Sequence, residues 1–337
     1  MPDHVFARIW DLETTGRSRL SKNYDLFIGG CGSDTRAYSA LRSLVKKRTS
    51  LGEVLLLDFA QRSSAIVDAS ERAQYDSYES IGPRIKVQSC SPLESRDMRG
   101  IGSELLGLPS GAKVALDISV LTKPYIFAVM RAISEIPGLG FVHVLYTEPG
   151  RYLHTPSGTY PFSKGPYRVV DIPGFAGRLS GPKDVLLVLL LGFEGSASKA
   201  VFEELTPAKV VPVNGFPSYL LHYKDESIVQ NDPLFEQVAA IEDLQFAPAA
   251  NPFETFNVLG DLKKEADQLQ LSLVISPIGP KPMALGAALF CLHHPEARVV
   301  YPMPASYEGK VSTDLGKSWL YEVEFPTASL PGKSSAG

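Results

Sequence analysis

The chain repeats itself at about half of its length. Residues 114–152 and 271–307 each contain an apolar strand, Ile-Ser, Lys-Pro, a helical stretch and a strand that ends in Tyr-x-x-Pro-x-x-Tyr. Ser119 and Ser276 occupy matching places, and they are 276 − 119 = 157 residues apart. The repeats of a solenoid are only about 20–50 residues long. A period near half of the 337 residues therefore indicates two copies of one α/β unit.

The alternation of strands and helices predicts the fold class. Short apolar strands alternate with helical stretches through both halves, which favours a mostly parallel sheet with right-handed crossovers. We predict two duplicated Rossmann-like units with mostly parallel sheets, related by a pseudo-twofold axis. The predicted limits are 1–152 for the first unit, 153–182 for a linker or hairpin excursion, 183–326 for the second unit and 327–337 for a disordered tail.

The elements predicted outside the long repeat include two strands near the ends of the chain and one helix. Val5–Trp10 is predicted as a short edge strand, and the alternating segment Trp319–Glu324 as a final antiparallel strand. Pro233–Gln245 is predicted to be helical.

Composition excludes several functional classes. The net charge is −4, so the chain lacks the basic surface that binding to duplex nucleic acid requires. Its longest apolar run, Val185–Leu191, is far shorter than the roughly 18 residues of a membrane span. Three widely spaced cysteines and no signal peptide indicate a reducing, cytoplasmic setting. The six histidines show no metal-ligand spacing, and neither a metal nor a cofactor is expected.

Four loops stand at the predicted carboxyl ends of strands, and each leads into a helix. Open α/β sheets bind ligands at such ends. The free N–H groups of a helix N-terminus suit anions such as phosphate, and a lysine adds a mobile positive charge. Glycine and serine are also ordinary turn and capping residues, which is the alternative interpretation. The loops are Gly29–Ser33, Ser119–Lys123, Gly192–Ser196 and Ser276–Lys281.

One of these loops resembles a motif of a known family. Residues Ile275–Gly286 are similar to the strand followed by Thr/Ser-x-Gly-x-Lys-x-Met in CARF domains, which are Rossmann-like sensors of cyclic oligoadenylates in CRISPR-linked defence. Asp117–Lys123 resembles a degenerate copy that lacks the glycine. CARF domains bind their ligand between two copies, and this chain would supply both. Pro280 and Pro282 flank Lys281, which departs from the motif.

The resemblance implies a set of ligand-binding residues. Among the candidates named below, the lysines would contact phosphates and the serine hydroxyl groups would donate hydrogen bonds. The glycines would allow the backbone to approach the ligand closely. The tyrosines, with Tyr152 and Tyr307, would stack on bases, which contributes about 1–3 kcal/mol per base; packing at strand ends is their alternative role. The candidates are Gly30, Gly32, Ser33, Ser119, Lys123, Gly192, Gly195, Ser196, Ser276, Lys281, Tyr146 and Tyr301.

A second resemblance is confined to the first residues of the chain. Asp11-Leu12-Glu13 is similar to the first motif of DEDD-family exonucleases, whose Asp and Glu bind metal ions. The other carboxylates of that family are missing, and His222 with Asp225 does not replace them. We therefore interpret Asp11 or Thr14 as the cap of a turn that Gly16 ends.

The sequence leaves three functions open. The first is a regulatory sensor of a nucleotide or another phosphorylated small molecule, which signals to a separate effector protein, in antiviral defence for example. The second is a hydrolase that cleaves a nucleotide in the same cleft, with Glu194 and Asp34 as its acid and base. The alternative interpretation of Asp34 is a local ion pair with Arg36. The third is a catalytically inert subunit that binds another protein.

Overall fold

The first half of the chain forms six strands and three α-helices in the described part. The computed structural model describes residues 7–16, 19–31, 34–59, 84–91, 95–105, 107–156, 158–160, 162–177, 184–237, 241–308 and 311–325. Gly32, Ser33 and the predicted tail lie outside these ranges. The elements are β1 (Ala7–Asp11), β2 (Asn23–Cys31), a 3-10 helix (Thr35–Tyr38), α1 (Ser39–Lys46), β3 (Ser50–Asp58), β4 (Arg84–Ser89), α2 (Ser95–Leu105), β5 (Val114–Asp117), α3 (Lys123–Ser134) and β6 (Phe141–Tyr152).

The second half follows the same plan and adds a strand at each end. Its elements are β7 (Ser163–Ala176), β8 (Val185–Leu190), α4 (Gly195–Leu205), β9 (Lys209–Gly215), α5 (Tyr223–Gln230), α6 (Asp232–Phe235), β10 (Gln245–Ala247), α7 (Pro252–Gln268), β11 (Ser272–Pro277), α8 (Lys281–His293), β12 (Arg298–Tyr307) and β13 (Ser312–Glu324). The helix predicted over Pro233–Gln245 is wrong for most of its described residues. Only the end of the short α6 lies in this range, and Gln245 is the first residue of β10.

The strand orders of the two sheets match position by position. One sheet has the order β13-β6-β5-β2-β3-β4, with β1 added beside β13, and the other has β7-β12-β11-β8-β9-β10. The four junctions from β6 to β4 are parallel, and so are those from β12 to β10. This confirms the duplicated, mostly parallel Rossmann-like arrangement about a pseudo-twofold.

The two units exchange strands. β7 follows β6 in the chain but pairs antiparallel with β12, and β13 follows β12 but pairs antiparallel with β6. The segment 153–182, predicted as a linker or hairpin excursion, thus contains a strand of the second sheet. Its Gly165 and Pro166 are turn formers in the sequence, yet they fit here because β7 is an edge strand, where proline is tolerated. β1 and β13 confirm the predicted edge and antiparallel strands.

One apolar core runs through both units. Its centre is the pair α3 and α8, which pack against each other and are buried on almost every side. Separate clusters lie under α1 on the first sheet and under α4 on the second. Because α3 and α8 are related by the pseudo-twofold, their first residues, Lys123 and Lys281, come together. Within the described ranges, no helix combines the length and the apolar character that crossing a membrane requires.

Candidate ligand site

A cavity of about 660 Å³ lies at the carboxyl ends of the parallel strands of both sheets. Its walls come from the loops after β2, β5, β8, β9 and β11 and from the ends of β6 and β12. This is the place where open α/β sheets bind ligands, and the volume is typical of a small-molecule site, about 300–1,000 Å³. The two units therefore enclose one shared cleft.

Six of the predicted ligand-binding residues line this cavity, and both candidate carboxylates join them there. The ligand-binding residues are Lys123, Gly192, Lys281, Tyr301, Tyr152 and Tyr307, and the carboxylates are Asp34 and Glu194.

Other predicted residues are used to build the loops. The Ser119 hydroxyl is fully buried; it donates to Asp117 Oδ1 at 2.5 Å and accepts from the Thr147 N–H at 2.8 Å. Both bonds fix the turn after β5, and the carbonyl oxygen of Ser119 is the group that points toward Lys281. Gly30 leaves room for the loop after β5, because a Cβ there would lie 2.8 Å from Val120 Cγ2.

The remaining predicted residues also lie away from the cavity lining. Gly195 packs against α5, since a Cβ would lie 1.8 Å from the Gln230 carbonyl oxygen. Ser196 is exposed, whereas the buried Ser276 hydroxyl has no hydrogen-bond partner among the described residues. Tyr146 is buried and packs on Tyr219 with ring centroids 6.0 Å apart. The sequence pattern thus located the loops but did not separate structural from lining positions within them.

One wall, which we call the Asp34 side, contains Asp34, Arg36, Ser312, Lys281 and Tyr152. Arg36 is 2% exposed, and its Nε and Nη2 donate to the Asp34 carboxylate at 3.0 and 2.8 Å. Ser312 Oγ donates to Asp34 Oδ2 at 3.1 Å. Burial alone would raise the pKa of Asp34, but the hydrogen bonds and charge of Arg36 outweigh it and lower this pKa. Asp34 is therefore an ionised carboxylate in a buried ion pair.

The opposite wall, the Glu194 side, contains Glu194, Ser163, Tyr167, Lys123 and Tyr307. Ser163 Oγ donates to Glu194 Oε1, and the Tyr167 hydroxyl donates to the same oxygen at 3.3 Å. Lys123 Nζ lies 6.0 Å from the centroid of the Tyr301 ring. No arginine pairs with Glu194 among the described residues.

The two walls are equivalent under the pseudo-twofold. Ser312 pairs with Tyr152 across β13 and β6, and Ser163 pairs with Tyr307 across β7 and β12. Each serine is the first residue of an exchanged strand and binds the carboxylate of the sheet it joins. Asp34 and Glu194 thus occupy related places. Each is bound on its own wall, so they do not form an acid–base pair in contact with each other.

Each lysine reaches across to the other unit. Lys281 Nζ donates to the Ser119 carbonyl oxygen at 2.7 Å and faces Arg36 and Asp34. Burial lowers the pKa of Lys281 well below its usual value, and the neighbouring charges of Arg36 and Lys123 lower it further. Burial also lowers the pKa of Lys123, which Glu194 partly offsets. Burial therefore disfavours the charged form of both amines, and a bound anion would favour it.

Two features near the site were not predicted from the sequence. The sequence pattern suggests only a pairing of Arg36 with Asp34, although an arginine directly behind a Gly-rich loop is itself a signal for anion binding. An aromatic cluster also lines the cavity beside Tyr152: Phe193 stacks on Tyr160 at 4.2 Å, and Tyr223 packs edge-on against Phe193 at 5.2 Å. Such rings are suitable surfaces for stacking a base.

The N-terminal motif forms a capped turn. Asp11 Oδ1 accepts the N–H groups of Glu13 at 2.9 Å and Thr14 at 3.3 Å, so Asp11 caps a turn. Across the part of the chain that the structure describes, no cluster of three or more His, Cys, Asp or Glu is arranged to hold a metal ion.

The fold and the shared cleft define the class: a duplicated Rossmann-like protein with a ligand-sized cavity between its units. No family model and no curated protein matches the sequence. Among solved structures, the chain is similar to a type III CRISPR defence DNA nuclease that is activated by cyclic oligoadenylate. The TM-score is 0.52 at 10% identity, and the match covers 83% of this chain and 65% of the nuclease.

Two further likenesses are weaker. One is to a functionally unknown protein of Pseudomonas aeruginosa, with a TM-score of 0.23 at 12% identity, covering 83% of this chain and 93% of that one. The other is to the cytoplasmic domain of a prokaryotic cation chloride cotransporter, with a TM-score of 0.26 at 11% identity, covering 85% and 98%. The likeness to the nuclease therefore supports the fold, and the chain spans about 65% of that nuclease's length.

Proposed function

We propose that this chain is a sensor of a nucleotide or a related phosphorylated small molecule, which binds in the cleft between the two units. The observation that carries the proposal is the convergence of Lys123, Lys281 and Arg36 on one cavity lined with aromatic rings. Two of these groups are lysines whose pKa values burial lowers, so a bound phosphate would favour their charged forms. Aromatic rings supply the matching surface for a base.

The likeness to a nuclease activated by cyclic oligoadenylate supports a signalling role. We propose that the bound ligand alters how the units pack and that a separate effector protein responds, as part of antiviral defence. The exchanged strands offer a route for this change, because each continues from one unit into the sheet of the other.

The hydrolase alternative is less well supported by the geometry. A general acid or base must be free to exchange a proton with the ligand. Asp34 is held by Arg36 and Ser312, and its lowered pKa keeps it ionised. Glu194 is bound by two hydroxyl groups on the far wall.

Thermal unfolding in the presence of mononucleotides, linear dinucleotides and cyclic oligonucleotides tests the proposal. A ligand at about 100 times its Kd should stabilise the protein by about 2.7 kcal/mol, a clear rise in Tm. The Lys123→Ala/Lys281→Ala double variant should lose this rise. The control is Lys199→Ala/Lys264→Ala, which removes the same charge from two helix-surface lysines outside the cavity lining.

Each outcome separates the candidate functions. A selective rise that only the cavity variant loses supports a phosphate-binding cleft, and chromatography of that ligand after incubation then distinguishes binding from cleavage. No rise with any nucleotide would contradict the proposal and favour the protein-binding alternative.

A further inference from the structure

The two walls of the cavity share one framework and differ in the side chains around their carboxylates. Each wall has a carboxylate, a serine from an exchanged strand, a tyrosine and a lysine that reaches across from the other unit. The Asp34 side also has Arg36, and the Glu194 side has the neutral Tyr167 bound to its carboxylate. The Asp34 side therefore places an arginine and a lysine beside the Asp34 carboxylate, with the Asp117 carboxyl buried behind the Ser119 loop, whereas the Glu194 side places one lysine beside one carboxylate.

The extra positive charge is placed to receive a phosphate. Arg36 holds Asp34 through Nε and Nη2, and Nη1 donates no hydrogen bond to a described residue. Lys281 binds a backbone carbonyl and pairs with no carboxylate in the described ranges. Arginine binds phosphate through a planar fork, and lysine adds a point charge. A phosphate on this wall would accept hydrogen bonds from Arg36 Nη1 and from the Lys281 amine.

The Glu194 side suits the neutral part of a ligand. Its carboxylate faces a single lysine, Lys123, and Glu194 Oε1 already accepts hydrogen bonds from two hydroxyl groups. The Oε2 atom stays an acceptor for an N–H of a base or an O–H of a sugar. A second phosphate on this wall would be repelled by the Glu194 carboxylate, because no arginine compensates the negative charge there. This repulsion selects against a second phosphate.

From this difference, and on the basis of the proposed function, we infer that the ligand is unsymmetrical: a nucleotide whose phosphate binds to Lys281 and Arg36 on the Asp34 side and whose base or sugar binds on the Glu194 side. The pseudo-symmetry of the fold does not extend to the ligand. A ring with identical halves would place equal groups against unequal walls.

Isothermal titration calorimetry of the full chain tests the inference with two probes, 5′-phosphorylated linear diadenylate and cyclic diadenylate. They contain the same bases and differ in symmetry. We expect tighter binding of the linear probe. We also expect Lys281→Met to weaken it at least about tenfold, the scale of a hydrogen bond to a charged group, and the matched Lys123→Met to weaken it far less. Glu194→Gln should change base preference more than phosphate binding.

A gain-of-function variant keeps the test independent of folding losses. Tyr167→Arg would give the Glu194 side its own guanidinium, and we expect it to improve binding of the cyclic probe several-fold. Tighter binding of the cyclic probe by the native chain, with equal losses from the two lysine variants, would overturn the inference and leave the sensor proposal intact. If a different nucleotide raises the Tm, the loss of affinity in Lys281→Met is compared with that in Lys123→Met on that nucleotide. If no nucleotide raises the Tm, the proposed function itself fails.

Discussion

The Asp34 side and the Glu194 side show how a duplicated fold can hold two different environments. The backbone framework is the same on both, down to the pairing of Ser312 with Tyr152 and of Ser163 with Tyr307. The walls diverge in the partners of their carboxylates, since Asp34 forms an ion pair with a buried arginine and Glu194 accepts hydrogen bonds from hydroxyl groups. Duplication therefore fixes where the ligand site forms, and individual substitutions decide what each half binds.

The largest expected effect concerns the buried ion pair. Asp34→Asn leaves the Arg36 guanidinium buried without a counterion, and removing one partner of such a pair destabilises a protein by about 3–5 kcal/mol. The matched Glu194→Gln exposes no buried arginine and should lower the free energy of unfolding by only about 1 kcal/mol. Urea denaturation of both variants at neutral pH measures the difference.

Equal losses from Asp34→Asn and Glu194→Gln would contradict the distinction between the walls. The acid limb gives an independent check. The folded pKa of Asp34 lies below its unfolded value, so its contribution is present above the unfolded pKa and is lost as the pH falls through the folded pKa. The stability difference between native chain and Asp34→Asn should shrink in that acid range.

The next effect compares the glycines of the two loops. Gly195→Ala would bring a Cβ within 1.8 Å of the Gln230 carbonyl oxygen, so backbone must move, and we expect a loss of about 3 kcal/mol. Gly30→Ala would meet the Val120 side chain at 2.8 Å, which can adjust, and we expect about 1 kcal/mol. Thermal unfolding of the two variants checks the order. A Gly195→Ala protein as stable as the native chain would show that the α4–α5 contact is loose.

Much of the fold could be predicted because its signals are local. The repeated strand, loop and helix around Ser119 and Ser276 predicted both units, and Lys123 and Lys281 were placed correctly at helix starts that meet in one cavity. The exchange of β7 and β13 was not predicted, because the partner of a strand is chosen by long-range packing. Nothing in the local pattern of β7 identifies β12 as its neighbour.

The site was predicted less completely for a geometric reason. Successive side chains of a strand or tight turn point in different directions, so a loop can contain both lining and structural residues. Ser119 turns inward to Asp117 and Thr147, whereas Lys123 four residues later lines the cavity. A sequence shows which loop approaches a ligand, but the direction of each side chain depends on packing that only the folded chain defines.

The smallest expected effect concerns the two lysines in the absence of ligand. Burial holds the folded pKa of Lys281 well below that of the unfolded chain, and Arg36 and Lys123 add to this. Between those two pKa values the unfolded chain binds more protons, so stability should rise with pH. Lys281→Met should remove this rise and stabilise the free protein at neutral pH by about 1 kcal/mol, the scale of desolvating one polar group. The loss of its bond to the Ser119 carbonyl opposes this gain, but that oxygen can bind water in the cavity.

Lys123→Met should show a weaker pH dependence, because Glu194 offsets part of the pKa shift of Lys123. Urea midpoints from neutral to alkaline pH test this. If Lys281→Met destabilises the protein at every pH, the amine is adequately compensated in the free state, and a bound anion would have little to supply on the Asp34 side.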